Sequence, residues 1–228
     1  MQKVFLVTLA LVFALLVGDV IQPNPTVRAK ELVRLDEIQV HEASQLMRHL
    51  LVAVDPNAPT SHFIPPFVRQ KLTGLFSRFK SEELVLNLSP IPCRDKGGEN
   101  VLMKSAWLPE WKKLGVEVYA PKLLEISGGR FTAKLRNTFA IGLAHESIHL
   151  ENTREHFVSG SAQDRYQDEV RAWLVTILRM VRPMREAGQE LDIFWLAADD
   201  VLGNCGDSPA CPEFQGFIAP RANTHAQR

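Results

Sequence analysis

Between Gly128-Gly129 and Asn152 the sequence reads as one long helix, running from Thr132 to about Asn152, with Leu135, Phe139, Leu143 and Ile148 on its buried side. Set into that helix are His145, Glu146 and His149, preceded by Ala140-Ile141-Gly142-Leu143-Ala144 and followed by Leu150. No other feature constrains the fold as much. Imidazoles and a carboxylate inside a core helix lose their water, and each must find a partner there or destabilise the folded chain.

The spacing says what kind of partner. Side chains at i and i+4 share one helical face a turn apart, so the two imidazoles can close on a single ion of zinc-like size. Glu146 projects about 100° round from His145. It therefore stands beside the ion rather than toward it, where it can take a proton from a water that the ion polarises. Such an ion brings the pKa of water from about 16 to near 7, so a carboxylate suffices as the base. The bland alternative is a chance pattern on a helix surface, and the apolar flanks argue against it.

Three ligands are the minimum for such an ion, and two glutamates are candidates for the third. Glu169 lies in Gln167-Asp168-Glu169-Val170-Arg171-Ala172-Trp173, on a helix expected from Ala162 to Val181 and disturbed at Arg182-Pro183. Counting helical angles, Tyr166, Val170, Trp173, Leu174, Ile177, Leu178 and Val181 form one apolar stripe. Glu169 sits at its margin and Asp168 faces away. A carboxylate at the edge of a core-facing stripe calls for a partner, although a solvated glutamate near a helix start is the simpler account. Glu155 is the second candidate. His156 and Tyr166 can each donate to a developing oxyanion, and both also fit ordinary loop and packing roles.

The segment His145-Glu146-Ser147-Ile148-His149 resembles the HExxH motif of the zincin metallopeptidases. That resemblance implies zinc held by His145, His149 and one further residue, Glu146 as the base, and a peptide or protein substrate. Glu169 on the following helix is similar to the third ligand of the gluzincins. Glu155 is similar in position to the third histidine of the metzincins, with Asn152 at their glycine. Glu169 is preferred. Trp173 stands where several gluzincins carry an Asp that orients a histidine ligand, so the partners of His145 and His149 are unassigned. In zincins an extended substrate pairs with an edge strand above the metal, and Val116 to Tyr119, stopped by Pro121, is the segment assigned to it.

The rest of the chain sets the frame. With 228 residues and 26 basic against 26 acidic side chains, it is long enough for one real core and offers no electrostatic footprint for nucleic acid. Lys3 is followed by the apolar run Val4 to Val17, which reads as a signal peptide and is shorter than the roughly 20 residues a bilayer span needs. Export to a periplasm or the exterior is the expectation, with an uncleaved N-terminal anchor using Val20 and Ile21 as the alternative. Cys205 and Cys211 bracket a short loop suited to a local disulfide, which leaves Cys93 over.

Further helices are expected at Lys30 to Val54, from Ile64-Pro65-Pro66 through Phe79, and at Leu191 to Leu202. Strands are expected at Glu83 to Leu88 and Val101 to Trp107, as a strand pair or meander, with a further strand at Val116 to Tyr119. The fold class is therefore α+β: a mostly helical, zincin-like domain over residues 30–218 with a small sheet before the HExxH helix. A leader and linker over 1–29 precede it and a loose tail over 219–228 follows. Two other functions remain in view. One is a zinc hydrolase of a non-protein amide such as a cell-wall linkage. The other is a non-catalytic exported protein whose zinc is structural, which would need a fourth protein ligand.

Overall fold

A computed structural model describes residues 35–93 and 101–191. The expected leader, residues 30–34 of the first expected helix, the helix expected at Leu191 to Leu202 beyond Leu191 itself, Cys205, Cys211 and the tail lie outside the described residues; the first helix starts at Glu37, later than Lys30, because Asp36 caps it. Among the described residues the protein is mostly helical with one three-stranded sheet. No helix among the described residues is long and apolar enough to cross a membrane.

Local chemistry fixes where each element starts. Helix α1 (Glu37–Val54) opens on a capping box in which Asp36 accepts from the Gln39 amide while Gln39 reaches back to the Asp36 amide. A 3₁₀ turn (Pro59–Phe63) leads to α2 (Pro66–Lys80), whose proline occupies a first-turn position where no amide is missed. Strands β1 (Val85–Ser89), β2 (Met103–Leu108) and β3 (Lys113–Tyr119) follow. Then come α3 (Ala120–Ser127), α4 (Ala133–His149), α5 (Arg154–Ser159), α6 (Ala162–Thr176), a π-helical turn (Ile177–Val181) and α7 (Arg182–Glu186).

Helix α4 is the centre of the molecule, and 13 of its 17 residues are buried. It touches α1, α2, α6 and β2. A helix covered on all sides cannot rely on one apolar stripe, and α4 accordingly mixes large residues with small ones that admit its neighbours. Phe139, Leu135 and Leu143 are fully enclosed, and burying each such side chain contributes roughly 1.5–3 kcal/mol. Gly142 lies against β2: a Cβ there would stand 2.9 Å from the Met103 thioether. That absence of a side chain lets the strand close on the helix a turn before Glu146.

The sheet order is β1-β3-β2, with β1 parallel and β2 antiparallel to β3. The expected strands are present, but their arrangement differs from a meander. Only β2 and β3 form a hairpin, turning through Pro109 to Lys112 with Lys112 at φ 53°. The segment Val116 to Tyr119, assigned above to an edge, belongs instead to the central strand. Val116 and Val118 are completely buried there. Pro121 does not mark an edge; it sits in the first turn of α3, a helix the sequence reading missed. The sheet edge next to α4 and α5 is β2.

Pro183 disturbs the helix as expected but does not end it. Helical structure continues through it to Glu186, because the turn before it widens into a π-helix. In an α-helix the proline ring would press on the carbonyl four residues back, that of Arg179, and the wider turn falls across that position.

Candidate metal centre

Two helices and a strand build the site. Helix α4 begins with Thr132, whose hydroxyl accepts from the Leu135 amide, and ends at His149. It supplies His145, Glu146 and His149, which are 6%, 6% and 7% exposed. Helix α6 begins on a Ser161–Asp164 capping box and packs against α4, bringing Glu169 to the same place.

The two histidines point their Nε2 atoms at each other, 3.2 Å apart. Glu169 Oε2 stands 3.3 Å from His149 Nε2, and Oε1 stands 3.8 Å from His145 Nε2. His145, His149 and Glu169 therefore offer ligand atoms that all lie within 4.8 Å of one another and could hold a metal ion. Glu155, the alternative, is exposed in the first turn of α5 and lies outside this cluster.

The opposite ring nitrogens are both occupied. His149 Nδ1 is 2.6 Å from Asp168 Oδ2, and His145 Nδ1 is 2.8 Å from Thr176 Oγ1. For Nε2 to act as a ligand, Nδ1 must carry the proton, and each of these oxygens is placed to accept it. Two Nε2 lone pairs facing each other at 3.2 Å in a buried place repel unless a cation lies between or beside them. Donor set and geometry thus fit a divalent ion.

Without an ion, a proton takes that place. Burial works against an imidazolium, but the Asp168 hydrogen bond and the charges of Glu146, Glu169 and Asp168 outweigh it and push His149 up to about 9. Burial would raise both carboxyls too. The hydrogen bond from His149, with the charges of His149 and Arg171, nevertheless holds Asp168 down to about 2. Glu169 is held down to about 2 by its contact with His145, the His149 charge and the Trp173 indole.

Glu146 does not join the cluster. Its Oε2 accepts the backbone amide of Ser105, 2.7 Å away on β2. The neighbouring Leu102 carbonyl points to β3, where it accepts from Tyr119, so alternate residues of β2 direct their backbone groups to opposite sides. The Ser105 amide belongs to the open side, and Glu146 takes it.

No family model, curated protein or solved structure matches this chain. The chemistry of the site must carry the functional reading by itself.

The expectation for Asp168 needs correcting. It does not face away: its side chain is only 10% exposed and grips His149. Helical angles place it off the apolar stripe, yet it reaches His149 on α4, and His156 on α5 stands with its Nε2 3.6 Å from Asp168 Oδ2. Arg171 donates to its other oxygen at 3.0 Å. His156 is thus an outer partner of Asp168. The Tyr166 hydroxyl is buried and bonded to nothing among the described residues. Thr176 was overlooked although it carried a signal: a hydroxyl amid Leu174, Ile177 and Val181, 1% exposed, needs a partner. Cys93 bonds with Tyr119, whose phenol is pushed far above its ordinary value by burial, by that bond and by the Glu117 carboxylate. A surface cleft lined by His62, Phe63, Arg69, Gln70 and Pro183 contains none of the candidate residues.

Proposed function

We propose that this protein is a zinc-dependent hydrolase of peptide bonds, gluzincin-like, with His145, His149 and Glu169 as metal ligands and Glu146 as the proton-transfer group. The observation that carries the proposal is the convergence of two buried Nε2 atoms and one carboxylate, with both Nδ1 atoms already bonded. Zinc bound there would supply Lewis acidity and a water acidic enough to ionise near neutral pH.

The chain's own residues divide the remaining work. Asp168 and Thr176 hold the rings so that Nε2 stays the basic nitrogen. Glu146, anchored through one oxygen by the Ser105 amide, has its other oxygen to take a proton from the attacking water and hand it to the leaving amine. Low exposure of Glu146 keeps bulk water from competing for that proton. An extended substrate would add to the open side of β2, where Trp107, two residues from Ser105, turns its backbone groups in the same direction. A structural zinc would call for a fourth protein ligand, and among the described residues the cluster comprises three. The apolar N-terminal run supports export.

The test is metal content and turnover measured together. Purified protein should hold about one equivalent of zinc and cleave a quenched fluorescent peptide library. Glu146→Gln should keep the zinc and lose about 10²–10⁴ of the rate. Glu169→Ala should lose the metal under a chelator challenge that Glu155→Ala survives. Absence of any bound divalent metal in the parent, or full activity in Glu146→Gln, would refute the proposal.

A further inference from the structure

Of the three grouped side chains, Glu169 is the one that most needs holding. His145 and His149 are buried on α4 and bonded through Nδ1, whereas the Glu169 side chain is 51% exposed. A half-exposed glutamate has several rotamers, most of which would carry its carboxylate away from the histidines.

The bond that restrains it comes from its own helix. Trp173, one turn on at i+4, donates its indole Nε1–H to Glu169 Oε1 at 2.8 Å. The same indole lies against the His145 ring, with centroids 4.7 Å apart and planes inclined at 48°. One side chain therefore touches two of the three candidate ligands. An indole N–H donates only; it cannot coordinate a cation or give up its proton at ordinary pH, so it restrains the carboxylate without entering the ligand set or neutralising it. Because Oε1 accepts the indole N–H, Oε2, which already lies 3.3 Å from His149 Nε2, is left as the uncommitted oxygen.

We infer that Trp173 is a positioning residue for the metal: through its N–H it selects the rotamer and the ligating oxygen of Glu169. With Asp168 on His149 and Thr176 on His145, α6 then supplies one outer partner to each of the three ligands. The inference rests on the metal-site reading above.

Zinc affinity of the full chain, measured by competition with a chromophoric chelator, tests it for the parent, Trp173→Phe and Trp173→Gln. Trp173→Phe keeps an aromatic ring and loses the N–H; Trp173→Gln keeps an N–H donor at the same position and loses the ring. Loss of an outer partner of a ligand typically weakens binding about 10–100-fold. Trp173→Phe should show that loss, and Trp173→Gln should recover most of it. Equal affinity in parent and Trp173→Phe overturns the inference while leaving the metal site standing. Equal weakening in both variants overturns it as well, because packing rather than the N–H would then matter. A parent that binds no zinc removes the metal reading itself.

A measurement on the unmodified chain guards against variants that do not fold. Among its four tryptophans, one indole N–H resonance in a ¹⁵N-tryptophan spectrum should shift on zinc addition, and should not do so in Glu169→Ala. Four unmoved indole signals in a zinc-loaded parent would also overturn the inference.

Discussion

The pairing of His149 with Asp168 makes the metal-free protein lose stability as the solution becomes alkaline. His149 is pushed from 6.5 up to about 9, so the folded state holds a proton that the unfolded chain releases at lower pH. The stabilisation from that proton is fully present below pH 6.5 and disappears as the pH rises through about 9. At about 1.4 kcal/mol per pKa unit, the difference amounts to roughly 3 kcal/mol, and the side chain is buried enough (9% exposed) for little of it to be screened. On the acid side, Asp168, lowered from 3.8 to about 2, keeps its stabilising effect above pH 3.8 and loses it as the pH falls through about 2. These are two views of one interaction and are not summed. Urea unfolding in the presence of a strong chelator, at pH values from 6 to 9.5, reads the alkaline limb directly. Asp168→Asn preserves the shape and an acceptor oxygen but removes the charge, so its curve should be flatter. Zinc must displace the same proton, so its apparent affinity should climb about tenfold per pH unit toward pH 9 from this group alone. A parent whose stability stays level across that range, or an Asp168→Asn curve that falls as steeply, would refute the electrostatic account of the pair.

Thr176→Val removes the oxygen 2.8 Å from His145 Nδ1 and should weaken zinc about 10–100-fold in a chelator competition, with little change in the circular dichroism spectrum. Ser105→Pro deletes the amide that holds Glu146 and no ladder bond, since that amide faces away from β3; turnover should drop, and because a buried carboxylate then loses its donor the stability read by urea unfolding should fall too, by about 1–3 kcal/mol or more. Gly115→Ala would put a Cβ 2.2 Å from the Val85 carbonyl, a backbone atom that cannot step aside, and should cost about 3 kcal/mol or more on urea unfolding. Gly142→Ala meets only the flexible end of Met103 and should cost less.

The sequence alone determined whatever depends on neighbours along the chain. The i, i+4 spacing of His145 and His149 and the burial of their helix are local facts of periodicity and composition, and the structure places those residues accordingly; Glu169, preferred to Glu155 on resemblance, stands beside them. Only the tertiary structure decided what secures the site. Asp168 reaches His149 across 19 residues, Thr176 reaches His145 across 31, and the Ser105 amide reaches Glu146 across 41. The choice of β2 rather than β3 as the open edge is of the same kind. A helical wheel sets Asp168 off the apolar stripe because it cannot count a polar partner on another helix, His149 on α4, with His156 of α5 beside it. Alternation identifies a strand but not its neighbours, because the same buried pattern serves a centre or an edge until the pairing partners are placed on either side.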